Sequence, residues 1–418
     1  MRKIIVKGGR KLNGTINISG SKNSALAILA ASILLPGHTI IRNVPNLLDV
    51  QTIIRVLRTL GLRAEYSASQ PNTVEIWNKK VNHVAPYELV TKMRASFFVI
   101  GPILARKGMA KVPLPGGCAI GSRPVNLHIK GLEDLGAKVR FEHGFVIVEG
   151  RHLKGAKVYL DFPSVGATET VMMAASLADG ETLIENAACE PEIVDLENFL
   201  NAAGAKISGA GTEKITIHGV KELHAVEHVV IPDRIEAGTY MIAAAMTKGS
   251  LTLNNIVPSH IESTVRKLQS AGLEVVVGEK QVTVSAINGI NPIDLNTMPY
   301  PGFPTDMQPQ MTALLSLAKG TSVIRETVFE NRFMHVPELN RMGAEIKLEG
   351  QSAIVHGVNH LSSAPIKVSD LRAGAALVLA ALAAEGETII EDQEHHLERG
   401  YERLEEKLNN VGAEVSIV

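Results

Sequence analysis

A cysteine, an aspartate and several basic residues stand where they could do acid–base chemistry on an anion. Cys118 lies in LPGGCAIGSRP (114–124), between paired glycines and Arg123. Glycines let a backbone come close to a ligand, and a nearby guanidinium stabilises a thiolate. A buried structural thiol is the alternative, but these neighbours favour a reactive one.

Further polar residues stand just before apolar helical runs. Helix N-termini attract anions, so the N-cap role suits Ser164 and Asp370, whereas a cation there opposes the helix dipole. A ligand-binding role is therefore favoured for Lys22, Arg94 and Arg372. The six junctions are GSKNSA (20–25), TKMRAS (91–96), PSVGAT (163–168), PDRIEAG (232–238), FPTDMQ (303–308) and SDLRAG (369–374).

A second set of junctions adds candidates for a general base. The sequence does not decide which of Asp306, Asp49 and Glu190 is the general base. We expect the base to lie within reach of a thiol, in a cleft that binds a polyanion. We interpret Cys189, the other cysteine, as structural. The fourteen histidines show no metal-binding spacing, so we expect no metal.

Length and composition bound the class of protein. A chain of 418 residues exceeds one ordinary core, so two or more domains are expected. The net charge of −1 provides no basic field for nucleic acid. Two cysteines make no disulfide framework, and the apolar stretch 24–35 is too short to cross a bilayer. We expect a cytoplasmic protein with no nucleic-acid or membrane partner.

Two sequence phrases recur six times in strict alternation. One joins an amphipathic run, a glycine and a β-rich run; the other joins an Ala-rich helix, a turn glycine and a short strand. They predict six units of about 70 residues, each helix, strand, helix, strand, strand. The glycines of the first phrase, which are typical helix C-caps, are Gly61, Gly136, Gly204, Gly272, Gly343 and Gly412.

The repeat also predicts the domains. The sixth unit stops short, and its missing tail stands at the N-terminus, so the N-terminal strands should complete the last sheet. Three units then make a domain over 22–231, and three make a second over 1–21 and 232–418. Because the first helix of several units is apolar nearly all round, we expect helices inside and sheets outside, with a cleft between the domains.

Taken together, these motifs resemble the UDP-N-acetylglucosamine enolpyruvyl transferase family, over essentially the whole chain. The resemblance implies an α/β fold, the inside-out α/β barrel, with two similar domains of three βαβαββ units each. The motifs are SGSKNSALAILAA, LPGGCAIGSRPV, PDRIEAGT, FPTDMQ, ETVFENRFMHVPELNRMGA, SDLRAGAALVLA and ERGYERLEEKL.

The resemblance also implies a reaction and its partners. The enolpyruvyl group of phosphoenolpyruvate passes to the 3′-hydroxyl of UDP-N-acetylglucosamine by addition and elimination, and phosphate leaves. This is the first committed step of peptidoglycan synthesis and needs no cofactor. Because the enol-ether carbon is a weak electrophile, the reaction needs a general acid, a general base and cations on the phosphate. A monomer or a weak dimer is expected.

The resemblance further implies catalytic and substrate-binding roles for individual residues. Cys118 is the general acid, forms a covalent adduct and is the residue that fosfomycin alkylates; Asp306 is the base, and Asp370 acts late in the cycle. Lys22, Arg123 and Arg399 hold phosphoenolpyruvate, with Arg372 nearby. The residues expected to bind the sugar nucleotide or the intermediate are Asn23, Arg94, Arg123, Pro124, Val125, Asn126, Leu127, Ser164, Val165, Val328 and Arg332.

The sequence departs from the family pattern in three places. Asn126 replaces an acidic residue, Cys189 replaces a basic one, and EHHLERGY (394–401) has one extra residue before Arg399. Three alternatives are kept. A 5-enolpyruvylshikimate-3-phosphate synthase would lack the cysteine loop. An inactive sugar-nucleotide sensor predicts loss of Cys118, Asp306 or Lys22. A thiol-redox protein needs a resolving cysteine near Cys118.

Overall fold

The fold is described from a computed structural model that covers residues 2–115, 125–286 and 289–418. Alternating buried and exposed side chains, as in Lys3–Lys7, are typical of strands with one face on a core. The strands are β1 (Lys3–Lys7), β2 (Asn13–Asn17), β3 (Gly37–Arg42), β4 (Arg63–Tyr66), β5 (Val74–Asn78), β6 (Met109–Pro113), β7 (Lys138–Glu142), β8 (Phe145–Glu149), β9 (Lys157–Tyr159), β10 (Glu181–Glu185), β11 (Lys206–Ser208), β12 (Lys214–His218), β13 (Glu227–Val229), β14 (Ser250–Asn254), β15 (Glu274–Val277), β16 (Gln281–Ser285), β17 (Leu295–Asn296), β18 (Thr321–Arg325), β19 (Glu345–Glu349), β20 (Ser352–His356), β21 (Pro365–Lys367), β22 (Glu387–Glu391) and β23 (Glu414–Ile417).

Helices alternate with these strands. The α-helices are α1 (Lys22–Ala31), α2 (Leu48–Thr59), α3 (Tyr87–Val90), α4 (Ile100–Lys107), α5 (Asn126–Asp134), α6 (Val165–Ala175), α7 (Pro191–Ala202), α8 (Arg234–Met246), α9 (Glu262–Ser270), α10 (Gln308–Leu315), α11 (Val336–Arg341), α12 (Leu371–Ala383) and α13 (Leu404–Asn409). Short 3₁₀ segments lie at Ser32–Leu34, Arg94–Val99, Pro258–Ile261, Thr305–Met307 and Leu397–Arg399.

The chain divides into two compact units. The central unit runs from Gly20 to Ile231, and the split unit combines the N-terminal stretch up to Ser19 with Pro232–Val418. Each unit has its own hydrophobic core. Because each core is built from its own sheets and helices, each unit has what an independent domain needs.

One sheet pattern occurs in both units. In β9-β10-β12-β11 the first strand is parallel to the second, and the other two pairs are antiparallel. The same order holds in β13-β3-β5-β4, β2-β14-β16-β15, β17-β18-β20-β19 and β21-β22-β1-β23. In the sixth sheet, β6-β8-β7, an isolated parallel bridge from Val84 to Lys111 stands in for the edge strand. The repeating βαβαββ unit is thus visible strand by strand.

The two N-terminal strands belong to different sheets. β1 lies between β22 and β23, antiparallel to both. β2 pairs in parallel with β14, from Ser250↔Asn13 to Asn254↔Asn17. The expectation that both strands complete the last sheet was therefore wrong for β2. The last strand of each repeat pairs in the sheet of another repeat of the same compact unit. Thus β13 of the third repeat returns to β3 of the first, and β2 of the sixth returns to β14 of the fourth.

Helices buried on all sides form the interior of each unit. Every residue of α10 is buried, as is nearly all of α12, and the two pack against each other and against α8 in the split unit. In the central unit α6 has the same character. Small residues such as the alanines of α12 let these helices approach closely. The prediction of an α/β fold with helices inside and sheets outside is confirmed.

Left-handed glycines end the amphipathic helices as the repeat predicted. The six C-cap glycines have φ between 87° and 103°. An L-residue at this φ is disfavoured, so glycine is required there. The turn glycines of the second recurring phrase are less uniform. In the fourth repeat it is Lys248, rather than the turn glycine Gly249, that has a left-handed backbone. There glycine is needed because a Cβ would lie 2.0 Å from the Leu12 carbonyl oxygen.

No helix in the described part of the chain is both long enough and apolar enough to cross a membrane.

In the split unit, Gly357 lies so close to the backbone of Ala318 that adding a single methyl group tests the contact. A Cβ on Gly357 would lie 1.6 Å from the carbonyl oxygen of Ala318. We expect Gly357→Ala to lower the free energy of unfolding by about 3 kcal/mol, because rigid backbone must move. Gly350 has a φ of +58° and open space around it, so Gly350→Ala should cost only about 1 kcal/mol. Equal losses in urea unfolding would contradict this explanation.

Candidate active site

In the split unit, Asp306 lies between two buried arginines. Its 3₁₀ turn, Thr305–Met307, leads into α10. Arg372 donates from Nε and Nη2 to Oδ2 at 3.1 and 2.9 Å, and Arg332 donates from Nη2 to Oδ1 at 3.0 Å. Both arginine side chains are 3% exposed, whereas Asp306 is 28% exposed. The carboxylate is therefore fixed in orientation by two guanidinium groups and still reaches solvent.

This arrangement holds Asp306 as an oriented carboxylate that reaches solvent. A carboxylate oxygen can accept more than one hydrogen bond, so a substrate hydroxyl can approach the exposed part of the side chain. Although burial opposes the charge of Arg372, the Asp306 carboxylate raises the pKa of its guanidinium above the ordinary value. Arg372 thus stays a cation and cannot take the proton itself. Asp306, one of the three candidate bases, is held by two cations.

Asp370 holds the start of α12. Its Oδ1 accepts from the backbone N–H groups of Arg372 and Ala373 at 3.0 and 3.1 Å. This is the N-cap that the sequence predicted, and it fixes the backbone from which Arg372 reaches Asp306. Arg399 stands at the end of the 3₁₀ segment Leu397–Arg399. The carboxylate of Asp392 anchors that segment by accepting from the N–H groups of His396 and Leu397 at 2.8 and 3.0 Å.

Glu326, the first residue of the motif ETVFENRFMHVPELNRMGA, received no role from the sequence but orients two parts of this site. Its Oε2 accepts from Thr305 Oγ1 at 2.9 Å, beside Asp306, and its Oε1 accepts from the N–H of Val328 at 2.8 Å. Glu326 is 1% exposed. A buried carboxylate with several donors is well satisfied and holds its neighbours rigidly. Its place in that motif, right after β18, was a sequence signal for importance but not for this role.

In the central unit, Lys22 begins α1 and contacts Asp49. The distance from Lys22 Nζ to Asp49 Oδ2 is 3.2 Å, and the two side chains are 12% and 7% exposed. Ser21 caps this helix, so the lysine is left for another role. Asn23 follows on the first turn and is half-buried. The Asp49 carboxylate therefore orients the Lys22 ammonium group.

A cavity of about 430 Å³ brings together three residues expected to bind the sugar nucleotide, Arg94, Val125 and Asn126. Leu114, Pro115, Ile129 and Phe141 complete its wall, which is thus mostly apolar. Such a cavity suits a flat heterocycle, with an amide and a guanidinium at its edge. Asn126 and Leu127 begin α5, while Ser164 caps α6 through its Oγ and Val165 begins it.

The remaining predicted residues divide in two. Cys118, Arg123 and Pro124 lie outside the described residues. Cys189 is described and partly buried; burial and the charges of Glu190 and Glu213 raise the pKa of its thiol. It therefore stays protonated and unreactive, which supports the structural interpretation. Within the described ranges, no group of three histidine, cysteine or acidic side chains is placed to hold a metal.

Comparison with known proteins now identifies the family. The family model described as EPSP synthase (3-phosphoshikimate 1-carboxyvinyltransferase) matches residues 6–408. UDP-N-acetylglucosamine 1-carboxyvinyltransferase 1 of Caldanaerobacter subterraneus subsp. tengcongensis is 54% identical over 99% of both chains. The chain belongs to the UDP-N-acetylglucosamine 1-carboxyvinyltransferase family. The predicted resemblance is confirmed, and the corresponding enzyme 2 of Carboxydothermus hydrogenoformans is also 54% identical, over the whole of both chains.

Solved structures agree on the fold. The enolpyruvyl transferase NikO from Streptomyces tendae has a TM-score of 0.87 and 27% identity, over 100% of this chain and 99% of that one. EPSP synthase from Acinetobacter baumannii has a TM-score of 0.78 and 18% identity, over the whole of both chains. At 18% identity the second likeness bears on the fold alone. This chain and the two solved structures thus share one fold although their sequences differ widely.

Buried His335, which lies beside Arg332 of the Asp306 site, makes the free energy of unfolding depend on pH. Burial lowers the pKa of His335 to about 4, helped by Arg332 and opposed by Asp370. As pH falls, the unfolded chain binds this proton first, so the histidine favours unfolding below its ordinary pKa of 6.5. From pH 7 to pH 5, the wild type should lose about 2 kcal/mol more unfolding free energy than His335→Asn.

Urea unfolding at both pH values measures this difference. Other titrating groups, such as buried Glu236 with a pKa of about 7, are common to both proteins and cancel. The same pH dependence in wild type and variant would refute the assignment to His335.

Proposed function

We propose that this protein transfers the enolpyruvyl group of phosphoenolpyruvate to the 3′-hydroxyl of UDP-N-acetylglucosamine and releases phosphate. The observation that carries the proposal is the Asp306 carboxylate, fixed between Arg332 and Arg372 and open to solvent. Relatives 52% to 54% identical along the whole chain carry the name of this transferase. The product would enter peptidoglycan synthesis.

The addition step joins three groups. The thiol of Cys118 gives a proton to C3 of phosphoenolpyruvate, while the sugar hydroxyl attacks C2 and passes its own proton to Asp306. A tetrahedral ketal results, with phosphate still attached to C2. Without a proton on C3 the attacking oxygen would meet an electron-rich carbon, so acid and base must act together.

Elimination reverses the proton transfer at C3. C3 returns a proton to the Cys118 thiolate, the C2–O bond to phosphate breaks, and phosphate leaves with the electron pair. Asp306 loses to solvent the proton that it took from the sugar hydroxyl. We assign the phosphate and carboxylate of phosphoenolpyruvate to Lys22, Arg123 and Arg399, since cations stabilise the leaving group. Asp370 is assigned to the late step. We propose that the two compact units are the enzyme's two domains.

The nucleotide half of the substrate is assigned to the central unit. Arg94 and Asn126 share the apolar cavity with Val125, which supports a site for the base and its charged attachment. The other residues assigned to the sugar nucleotide are Asn23, Arg123, Pro124, Leu127, Ser164, Val165 and Val328. A catalytic thiol requires a reducing compartment, so we propose the cytoplasm as the location.

Phosphate release tests the chemistry. We expect wild type to release phosphate from phosphoenolpyruvate only when UDP-N-acetylglucosamine is present. Because general acid–base groups contribute about 100-fold or more, Cys118→Ser and Asp306→Asn should each lower the rate by at least that factor. Cys189→Ser, a matched cysteine control outside the assigned site, should keep the wild-type rate.

Two outcomes would overturn the proposal. A folded wild type that binds the sugar nucleotide but releases no phosphate would be a sensor rather than an enzyme. Release that is faster with shikimate 3-phosphate than with the sugar nucleotide would indicate the sister transferase.

A further inference from the structure

Three separate segments of the central unit carry Arg94, Asn126, Leu127, Ser164 and Val165, which are most of the described residues assigned to the sugar nucleotide. The 3₁₀ segment Arg94–Val99 begins with Arg94. The first turn of α5 carries Asn126 and Leu127, and the start of α6 carries Ser164 and Val165. A site assembled from three segments needs something that sets their spacing, because small misplacement weakens binding.

His128 belongs to one of these segments, α5, and its imidazole contacts the other two. His128 lies on α5 and is 7% exposed. Its Nδ1 is hydrogen-bonded to Thr170 Oγ1 of α6 at 2.9 Å, and Thr170 is fully buried. From the 3₁₀ segment, Phe97 meets the ring edge-on with centroids 5.4 Å apart, and Phe98 stacks on it at 6.4 Å.

Close packing leaves the ring little freedom. A Cβ added to Gly166, two residues after the cap of α6, would lie 3.0 Å from His128 Cε1 and 2.8 Å from Phe98 Cε1. One turn further along α5, a Cβ on Gly131 would lie 2.3 Å from the Cγ2 of Val171 on α6. Helices packed this tightly move as one body. The position of the His128 ring between α5 and α6 therefore determines where the first turns of the two helices lie.

We propose that His128 is a positioning residue that holds the three nucleotide-binding segments in register. The inference rests on the proposed function, since it concerns the same substrate. Its imidazole is packed between the segments and does not itself bind the substrate. It acts by fixing the positions of the residues assigned to the substrate, Asn126, Leu127, Ser164 and Arg94. An ordinary core histidine would affect stability alone, whereas a positioning residue changes affinity for one substrate selectively.

The test uses two variants that preserve shape. Thr170→Val removes the hydroxyl and His128→Phe removes the ring nitrogens, and both keep the volume close to that of the original side chain. Loss of one buried hydrogen bond is worth about 1 kcal/mol, or about fivefold in affinity. We expect the Kd for UDP-N-acetylglucosamine, measured by calorimetry, to rise about fivefold in each variant, while the KM for phosphoenolpyruvate changes less than about twofold.

The double variant identifies the hydrogen bond itself. If His128 and Thr170 act through one bond, the double variant should bind no more weakly than either single variant. Gly166→Ala, which displaces the ring and keeps the bond partners, should also weaken sugar-nucleotide binding.

A matched control separates positioning from stability. Asn78 is 2% exposed in the same unit and donates from Nδ2 to the carbonyl oxygens of Ser32 and Ile33 at 3.1 and 2.9 Å. Asn78→Leu should lower the melting temperature without changing the Kd for the sugar nucleotide.

The outcomes distinguish the two hypotheses. Wild type that binds no UDP-N-acetylglucosamine overturns the proposed function. Wild type that binds it, with Thr170→Val and His128→Phe binding equally well or losing affinity for both substrates alike, overturns the role of His128.

Discussion

Helices that are buried on every side leave only their ends for chemistry. The buried helices α10 and α12 have no exposed flank on which a polar residue could face solvent. Asp306 and Asp370 lie instead in the turns that precede them. The same holds for Ser164 at the start of α6. One packing constraint thus gathers the polar residues at helix N-termini, where free N–H groups and the helix dipole favour anions.

That arrangement brings cations to positions where the helix dipole opposes them, and carboxylates offset the cost. Lys22 on α1 has Asp49, and Arg372 on α12 has Asp306. A buried charge that loses its partner is costly, so acid and base partners depend on one another. Arg372 thus keeps in place the carboxylate of Asp306, the proposed base.

The periodic features of the fold were predictable from the sequence, because they depend on local residue types. Left-handed glycines such as Gly136 and Gly343 mark helix ends, and apolar runs mark the buried helices. The partner of β2 was not predictable in this way, since parallel pairing with β14 joins residues far apart in the chain. Long-range contacts of that kind leave no local pattern in a single sequence.

The candidate site was predictable in its residues but not in its supports. Motifs pointed to Asp306 and Arg372, yet the double clamp on the carboxylate needs the two arginines brought together by folding. Glu326 opens a family motif and His128 lies outside the quoted motifs, but for both only three-dimensional contacts reveal which groups they hold. Residues that act through others are the hardest to find from sequence.

Mass spectrometry of the product tests the proposed transfer most directly. The protein would be incubated with phosphoenolpyruvate and an equimolar mixture of UDP-N-acetylglucosamine and shikimate 3-phosphate. We predict that the sugar nucleotide alone gains mass, with one enolpyruvyl group in place of one hydrogen. Modified shikimate 3-phosphate with unmodified sugar nucleotide would contradict the proposed transfer.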